Sequence, residues 1–529
     1  MTFQMKFCGA AGTVTGSCYW IRLDDCQFLV DCGMFQGAKT IKELNYNKFP
    51  FDPAQIDFML LTHAHTDHAG LIPKLVKHGF SGPIYTTSGT RDLLTYMLPD
   101  SAHIQEMEVD RLNRRNRQRG RAEVEPIYTG EDADASLELI HPVEYESWLD
   151  LGVVKARFWN AGHILGAASI ELEVQDGGEG ARMLFSGDIG PDHKAFHPDP
   201  EAPSGVDYLI TETTYGGRFR KDLPMEERQE LLAKEINDAM HQGGALVIPA
   251  FAVERTQELL LDIAALLRSG AIPHVPVFLD SPLAIKVTSV FTAHAHSLED
   301  MDGGNPFAHS SFHFTETTEE SKAIARFSGN VIIIAASGMC DAGRIRHHLK
   351  NHLWRPQSTL LLVGYQAEGT LGRLLEQGAK RIKIQGEDVE VRARIRTIDT
   401  YSGHADHDGL MEWIDERLPV RRSIFLSHGS SASLQAMYEA LVDKGIPAEQ
   451  IIVPKLDDDF DLSDGKALPQ LTRVIRRIDP ECVEKPDWHN DLASLTLDLR
   501  KQLEGAHSDK QRAKLLARLR TLLDQFNES

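Results

Sequence analysis

The sequence predicts an α/β protein of several domains, in which a β-rich unit carries a metal site and is interrupted by a second unit built on a parallel sheet. Three observations predict this. The first is Leu60-Leu-Thr-His-Ala-His-Thr-Asp-His-Ala-Gly70, where the short apolar run Phe58-Met-Leu-Leu61 ends in His63, His65, Asp67 and His68. The second is repetition of that design, because His163, Asp188, Glu212, His404 and His428 each follow a short β-prone run. The third is a change of pattern from about residue 225 to 380, where near-continuous apolar runs alternate with helical stretches. That alternation marks a parallel sheet covered on both faces.

In chain order, Cys18-Tyr-Trp-Ile-Arg-Leu23 and Gln27-Phe-Leu-Val-Asp31 are strands parted by Asp24-Asp25. Asp31 ends the second. Beside a histidine cluster it can orient a ligand imidazole, and a turn aspartate bonding its own backbone is the equal alternative. An extended chain throws His63 and His65 to the same side, and Asp67 and His68 follow as the chain turns. This arrangement can serve two adjacent metal ions, two ligands to each. Imidazole and carboxylate are the ligands of zinc where a position stays open to water. Pro83-Ile-Tyr-Thr-Thr87 is the next strand, and residues 90–125 are a long helical pattern. Its basic block, Arg111 to Arg121, is a solvated helix face or a phosphate-contacting edge. Strands at Val154-Lys-Ala-Arg-Phe-Trp159, Arg182-Met-Leu-Phe185 and Asp207-Tyr-Leu-Ile210 lead to His163, Asp188 and Glu212. Strand ends of one sheet converge on one edge, where loops build sites.

The inserted unit reads as helices at 226–242, 254–268 and 344–351, with strands at 245–249, 275–279, 331–335 and 359–364. The run Ser337-Gly338-Met339 is expected at a strand end opening a helix. Backbone amides there cradle phosphate; a plain tight turn is the alternative, and Arg255 at a helix start is a candidate to assist. Residues 389–396 alternate and return to β pattern ahead of His404 and His428. Either histidine alone is as readily a capped or surface residue. Asp457 to Asp464 is an acidic boundary. Beyond it, 487–503 and 508–526 are amphipathic and read as a helical hairpin, with a homodimer contact as one use for it.

A chain of 529 residues is expected to form two or three domains. No stretch approaches the length of an uncharged membrane span, and the N-terminus lacks the charged-then-apolar order of a secretory signal. Six cysteines without a CxxC pair read as reduced thiols of a cytoplasmic protein. A net charge of −21 argues against non-specific coating of nucleic acid. It leaves room for a local basic groove.

On these residues the chain resembles a known family. HAHTDH with Asp31, His163 and Asp188 is similar to the signature of the metallo-β-lactamase fold. Glu212 in TETTYG, His404 in YSGHAD and His428 in LSHG resemble the further motifs of its β-CASP branch. That branch contains nucleic-acid nucleases, among them the endonuclease subunit of the pre-mRNA cleavage complex, ribonuclease J and the Artemis-type DNA nucleases. The likeness is strongest to compact bacterial RNA-processing members, through SAHIQEMEVDRLNRRNR, PAFAVERTQELL, ASGMCDAGR and GYQAEGTLGR. It implies an αββα metallo-β-lactamase sandwich in residues 1–210 and 381–462, with a β-CASP domain at 211–380. The C-terminal helical extension, 463–529, lies outside the likeness.

The resemblance also implies roles. His63, His65 and His163 would hold one zinc; Asp67, His68 and His428 would hold the other. Asp188 would bridge both and Asp31 would support the loop from behind. Asp67, Glu212 and His404 form the catalytic set, with His404 the proton donor to the departing oxygen and Glu212 holding its imidazole. Arg255, Ser337, Gly338 and Met339 would contact RNA. The implied reaction is hydrolysis of single-stranded RNA by a hydroxide activated by two Zn2+ per chain, leaving 5′-phosphate and 3′-hydroxyl ends. A histidine at the position of His428 resembles the RNA-cleaving members, since DNA-acting relatives often carry valine there. The chain departs from the usual HGE by reading HGS at Ser430. The alternatives are a DNA nuclease, a hydrolase of a small ester, thioester or lactam, and a catalytically silent scaffold. The small-molecule reading leaves Glu212, His404 and about 170 inserted residues without a purpose.

Overall fold

Alternation decides how the first sheet packs. Phe3–Phe7 and Tyr19–Leu23 bury every second side chain, as strands with one face on a core must. In this computed structural model the described residues are 2–175, 180–220, 223–301, 304–327, 329–367, 369–463, 470–472, 474–479, 483 and 508–527, with the single positions 499, 502, 503 and 505. The first sheet has eight strands, ordered Gln470–Leu471, Asp459–Asp461, Phe3–Phe7, Tyr19–Leu23, Gln27–Val30, Phe58–Leu60, Ile84–Thr87 and Ile140–Val143. The second has seven, ordered Ile451–Ile452, Ser423–Ser427, Tyr208–Glu212, Ala181–Phe185, Ala168–Val174, Val154–Asn160 and Leu149–Asp150.

The two sheets close on one apolar layer, drawn from Phe3, Met5, Phe28, Phe158, Phe185, Tyr208 and Phe425 among others. Phe7 is fully buried at its centre. Its ring meets Tyr19 at 5.5 Å, Phe425 at 5.4 Å and Phe460 at 5.8 Å between centroids. Edge-to-face pairs of this kind add specific geometry to the area they bury. Helices cover the outer faces. Leu93, Leu94 and Leu98 of the helix Ser88–Gln118 cluster with Met59 and Ile84. Leu410, Trp413, Leu434 and Met437, from helices His407–Glu416 and Ser431–Asp443, cluster with Leu184, Leu209 and Ile424. The result is an αββα sandwich. The arginines of the basic block, from Arg111 to Arg121, end the helix Ser88–Gln118 on exposed surface.

The third sheet is parallel throughout: Phe312–Phe314, Val277–Leu279, Val331–Ala335, Ala245–Pro249, Thr359–Leu362 and Arg394–Thr397. Strands buried along their whole length, such as Val331–Ala335, form its middle. This is the inserted α/β unit. Its extent differs from the sequence-based expectation at both ends. Tyr208–Glu212 stays in the sandwich, so the chain leaves after Glu212. Residues 389–396 were expected to rejoin the β-rich unit. Instead Glu387–Glu390 forms a hairpin with Arg381–Ile384, and Arg394–Thr397 is the edge of the inserted sheet. Period-two alternation marks a half-exposed strand but says nothing of which sheet it joins.

At the C-terminus Asp509–Asn527 is a helix, whereas most of the other expected arm of the hairpin lies outside the described residues. Among the described residues no helix is long and apolar enough to cross a membrane.

Because Phe7 joins strands from both ends of the chain, Phe7→Ala is expected to cost about 3–5 kcal/mol of stability. A urea titration followed by near-ultraviolet dichroism measures it. A loss under about 1 kcal/mol would mean that the layer repacks around the gap.

Candidate metal centre

Strand register delivers the side chains. Val30 and Leu60 are parallel partners, so Asp31 and the chain after Leu60 leave the sheet together. Asp31 has a left-handed backbone, φ 60°. Its Oδ1 accepts the Thr62 N–H at 2.8 Å and its Oδ2 accepts the Thr62 hydroxyl at 2.9 Å. The histidine loop is then tied down by backbone bonds: Ser17 N–H to Asp67 O, Cys32 N–H to His68 O and Met34 N–H to Thr66 O. Gly33 sits so near that a Cβ there would lie 1.6 Å from the Asp67 carbonyl oxygen. Three neighbouring parallel strands of the second sheet run to the same edge. Glu212 is the last residue of one, His428 directly follows another, and Asp188 comes three residues beyond the third. The Ala405 N–H donates to Ile189 O at 2.8 Å, which sets His404 beside Asp188.

All these side chains meet. His63, His65, His163 and Asp188 form one group, Asp67, His68 and His428 a second, and Asp188, Glu212 and His404 a third. Within each group the ligand-type atoms lie within 4.8 Å of one another. Asp188 stands at the centre. Its Oδ2 is 3.4 Å from His63 Nε2 and 3.5 Å from His163 Nε2, while Oδ1 is 3.2 Å from His68 Nε2 and 3.7 Å from His428 Nδ1. His163 Nε2 and His65 Nδ1 converge to 3.0 Å, and the Nε2 atoms of His68 and His428 to 3.1 Å.

The other ring nitrogens of His63, His68, His163 and His428 are occupied. His68 Nδ1 donates to Asp31 Oδ2 at 2.7 Å and His163 Nδ1 donates to Gly403 O at 2.5 Å. His63 Nδ1 meets the Thr62 hydroxyl, and His428 Nδ1 the Thr214 hydroxyl, both at 3.0 Å. Such partners fix the ring orientation and tautomer of a metal-binding imidazole. Asp31 thus takes the imidazole-orienting alternative.

The electrostatics divide the rings. Burial holds His63, His65 and His163 below the ordinary imidazole range, His65 down to about 3, which favours the neutral form that binds a metal. Against their burial, Asp188 raises His68 and His428 above that range. Burial opposes charge on Asp188 too, but His428, His68 and His63 outweigh it and keep the carboxyl well below the usual range. Asp67 is held low in the same way, against its burial, by His428 and His68.

Glu212 is buried and His404 is partly exposed, with Nδ1 3.2 Å from Glu212 Oε1. That carboxylate also accepts the Ile189 N–H at 2.6 Å and the Thr214 N–H at 3.2 Å. Ser430 caps the helix Ser431–Asp443 by accepting the Ser433 N–H.

The remaining expected contacts lie elsewhere. Ser337-Gly338-Met339 does not open a helix, because that helix begins at Ile345. The run is folded into a turn in which the Ser337 hydroxyl accepts the Ala342 N–H at 3.2 Å and Gly338 packs against the Phe251 ring. Arg255 turns its Nε to Tyr401 O at 2.8 Å and lies over Phe251. Thr62, Thr214 and Lys194, which donates to the His163 carbonyl, serve the site without having been singled out in the sequence. Only Thr62, beside His63, had a positional signal.

An αββα sandwich with two imidazole–carboxylate groups on one edge is the arrangement of the metallo-β-lactamase superfamily. That superfamily's model matches residues 11–232, a Beta-Casp domain model matches 256–375, and a Zn-dependent metallo-hydrolase RNA specificity domain matches 388–454. Ribonuclease TTHA0252 of Thermus thermophilus is 36% identical over 446 residues, 83% of this chain and 95% of that one. Transcription termination factor FttA of Methanosarcina mazei is 31% identical over 80% of this chain, which spans 66% of that protein. FttA of Thermococcus kodakarensis is 31% identical with the same coverage. The chain belongs to the β-CASP branch of the metallo-β-lactamase superfamily.

Asp31→Asn is expected to leave the fold intact and to weaken metal binding by about 10–100-fold. Competition with a chromophoric chelator measures it, and unchanged binding would assign Asp31 to backbone support alone.

Proposed function

We propose that this chain is a zinc-dependent ribonuclease of the cytoplasm, hydrolysing phosphodiester bonds of single-stranded RNA to leave 5′-phosphate and 3′-hydroxyl ends. One observation carries the reading: Asp188 presents one oxygen to each of two histidine groups, 3.2 Å from His68 Nε2 and 3.4 Å from His63 Nε2. The donor set fits metal. His63 Nε2 and Asp188 Oδ1 are buried without a hydrogen-bond partner. A buried polar atom left unpaired is costly, and a cation between the groups answers both. His63, His65 and His163 would hold one zinc, Asp67, His68 and His428 the second, with Asp188 shared. Two bound zinc ions supply Lewis-acid charge for the phosphate and an activated water.

The chain's own residues complete the reaction. As water oxygen bonds to phosphorus and the bond to the 3′ oxygen breaks, that oxygen needs a proton. The attacking water gives up one proton to solvent, and His404, protonated on both ring nitrogens with Nδ1–H donating to Glu212, hands its Nε2 proton to the 3′ oxygen. Asp31, Thr62, Thr214 and the Gly403 carbonyl keep the rings in place meanwhile.

Support for single-stranded RNA comes from the rim. Arg218 lies over Tyr365 at 4.1 Å and Arg220 over Tyr215 at 4.8 Å, and Tyr215 touches His404 edge-on at 5.5 Å. Phe219 and Phe251 are exposed nearby. Arginines and aromatic faces together suit the backbone and bases of a single strand. The relative named a ribonuclease and the RNA specificity match at 388–454 point the same way. The described cysteines are free thiols, as a reducing compartment requires.

Zinc-loaded protein is offered single-stranded RNA labelled at the 5′ end in one tube and the 3′ end in another. Asp188→Ala should lose metal and cleavage together. His404→Ala should keep both metals while kcat falls about 10²–10⁴-fold, the usual worth of a proton donor. Metal-loaded wild-type protein that leaves RNA intact would overturn the proposal.

A further inference from the structure

Two adjacent residues of the inserted unit reach two different loops of the site. They sit at the start of the helix Arg255–Ser269. Arg255 Nε holds Tyr401 O at 2.8 Å, three residues before His404. Glu254 turns the other way, into the sandwich, and is 3% exposed. Its Oε2 accepts the Leu165 backbone N–H at 3.2 Å. Its Oε1 lies 2.8 Å from His197 Nε2 and 3.5 Å from Lys194 Nζ. Lys194, itself buried, donates to the carbonyl oxygen of His163.

His163 is therefore fixed at three points. Gly403 O takes the ring Nδ1–H, Lys194 takes the carbonyl, and Glu254 takes the chain two residues on. Residues 161–166 have neither helix nor strand to hold them. The buried Leu165 amide would lack a partner without this carboxylate. Each Glu254 contact runs from the inserted unit to the sandwich.

The backbone of Glu254 supplies the second observation. Its φ is 69° and its ψ −68°, a conformation in which a side chain is strained. Glycine would adopt it freely. Strain of this kind persists where surrounding contacts over-determine it, and it gathers at functional positions. Glu254 faces none of the three ligand groups, so its work must be done through another residue.

We propose that Glu254 is a positioning residue through which the inserted unit fixes the loop of His163. The proposal rests on the reading of His163 as a metal ligand. Arg255 gives the same turn a grip on the loop of His404, and the His163–Gly403 bond joins the two loops directly. A single turn of the inserted unit thus sets the distance between a metal ligand and the proton donor. Loss of Glu254 should disturb the group of His63, His65 and His163 and spare that of Asp67, His68 and His428.

The test uses the full-length protein and the variants Glu254→Gly and Glu254→Gln. Zinc is the probe, read by chelator competition together with the melting temperature and with kcat and KM on single-stranded RNA. Glu254→Gly removes the strain with the carboxylate. Because it also leaves Lys194, His197 and the Leu165 amide without that partner in the interior, it should melt below the wild type, bind one of its two zinc ions about tenfold more weakly and lose kcat more than KM. Glu254→Gln keeps an acceptor for Leu165 and should fall between; it is read in the same way if Glu254→Gly does not fold. Wild-type zinc affinity and kcat in both variants would assign Glu254 to domain packing alone and overturn the proposal. Equal weakening of both zinc sites would overturn it too. Wild-type protein that binds no zinc would remove the metal reading and this inference together, so the two failures are told apart.

Discussion

A carboxylate with no water around it needs positive charge on both sides, and Asp188 is such a group at 2% exposure. An isolated buried charge is among the most expensive things a fold can contain. Everything about the neighbourhood reads as an answer to that cost. Four histidines from three loops converge on its two oxygens, and a further layer of carbonyls, hydroxyls and carboxylates fixes those rings from behind. Lysine or arginine could have neutralised Asp188 more simply. Burial holds the rings of His63, His65 and His163 below the ordinary imidazole range, so His68 and His428, which Asp188 raises against their burial, answer its charge in their place.

The side chains of the candidate site were legible in the sequence because one rule places them. A short apolar run followed by His, Asp or Glu is a strand delivering a side chain to the sheet edge, and the structure brings His63, His65, Asp67, His68, His163, Asp188, Glu212, His404 and His428 to one place. The parallel sheet of the insertion was legible for the same reason: strands such as Val331–Ala335 are apolar throughout. Partnership was not legible. Residues 389–396 alternate as the sandwich strands do, yet Arg394–Thr397 joins the other sheet. Register between distant segments leaves no local trace. The Ser337-Gly338-Met339 run misled for a related reason, since strand-then-helix does not reveal the turn of several residues between Ala335 and Ile345. Lys194 could not be found at all, because a buried lysine serving a carbonyl looks like any other lysine until the fold is known.

The inserted unit is more than a lid laid on a finished site. The contacts describe a closer dependence. The sandwich supplies the imidazoles, but the loops of His163 and His404 owe part of their placement to Glu254 and Arg255 of the other unit. Arg228 and Tyr401 meet on Asp262 beneath the same loop, so the joint between the units is polar, buried and specific. Polar joints of this kind do not slide, as each group displaced from its partner is left unpaired.

The strand Phe3–Phe7 lies between Tyr19–Leu23 and Asp459–Asp461, with Met5 opposite Phe460. The strand Phe3–Phe7 therefore waits for Asp459–Asp461 before its sheet is complete. The centre waits too: His68 and its neighbour His428 are 360 positions apart. Domains that close over such distances fold late, after most of the polypeptide has emerged. For an enzyme that cuts RNA, that order of assembly has a use. Until His428 has emerged, the growing polypeptide holds only part of its centre and stays harmless beside the messenger being translated.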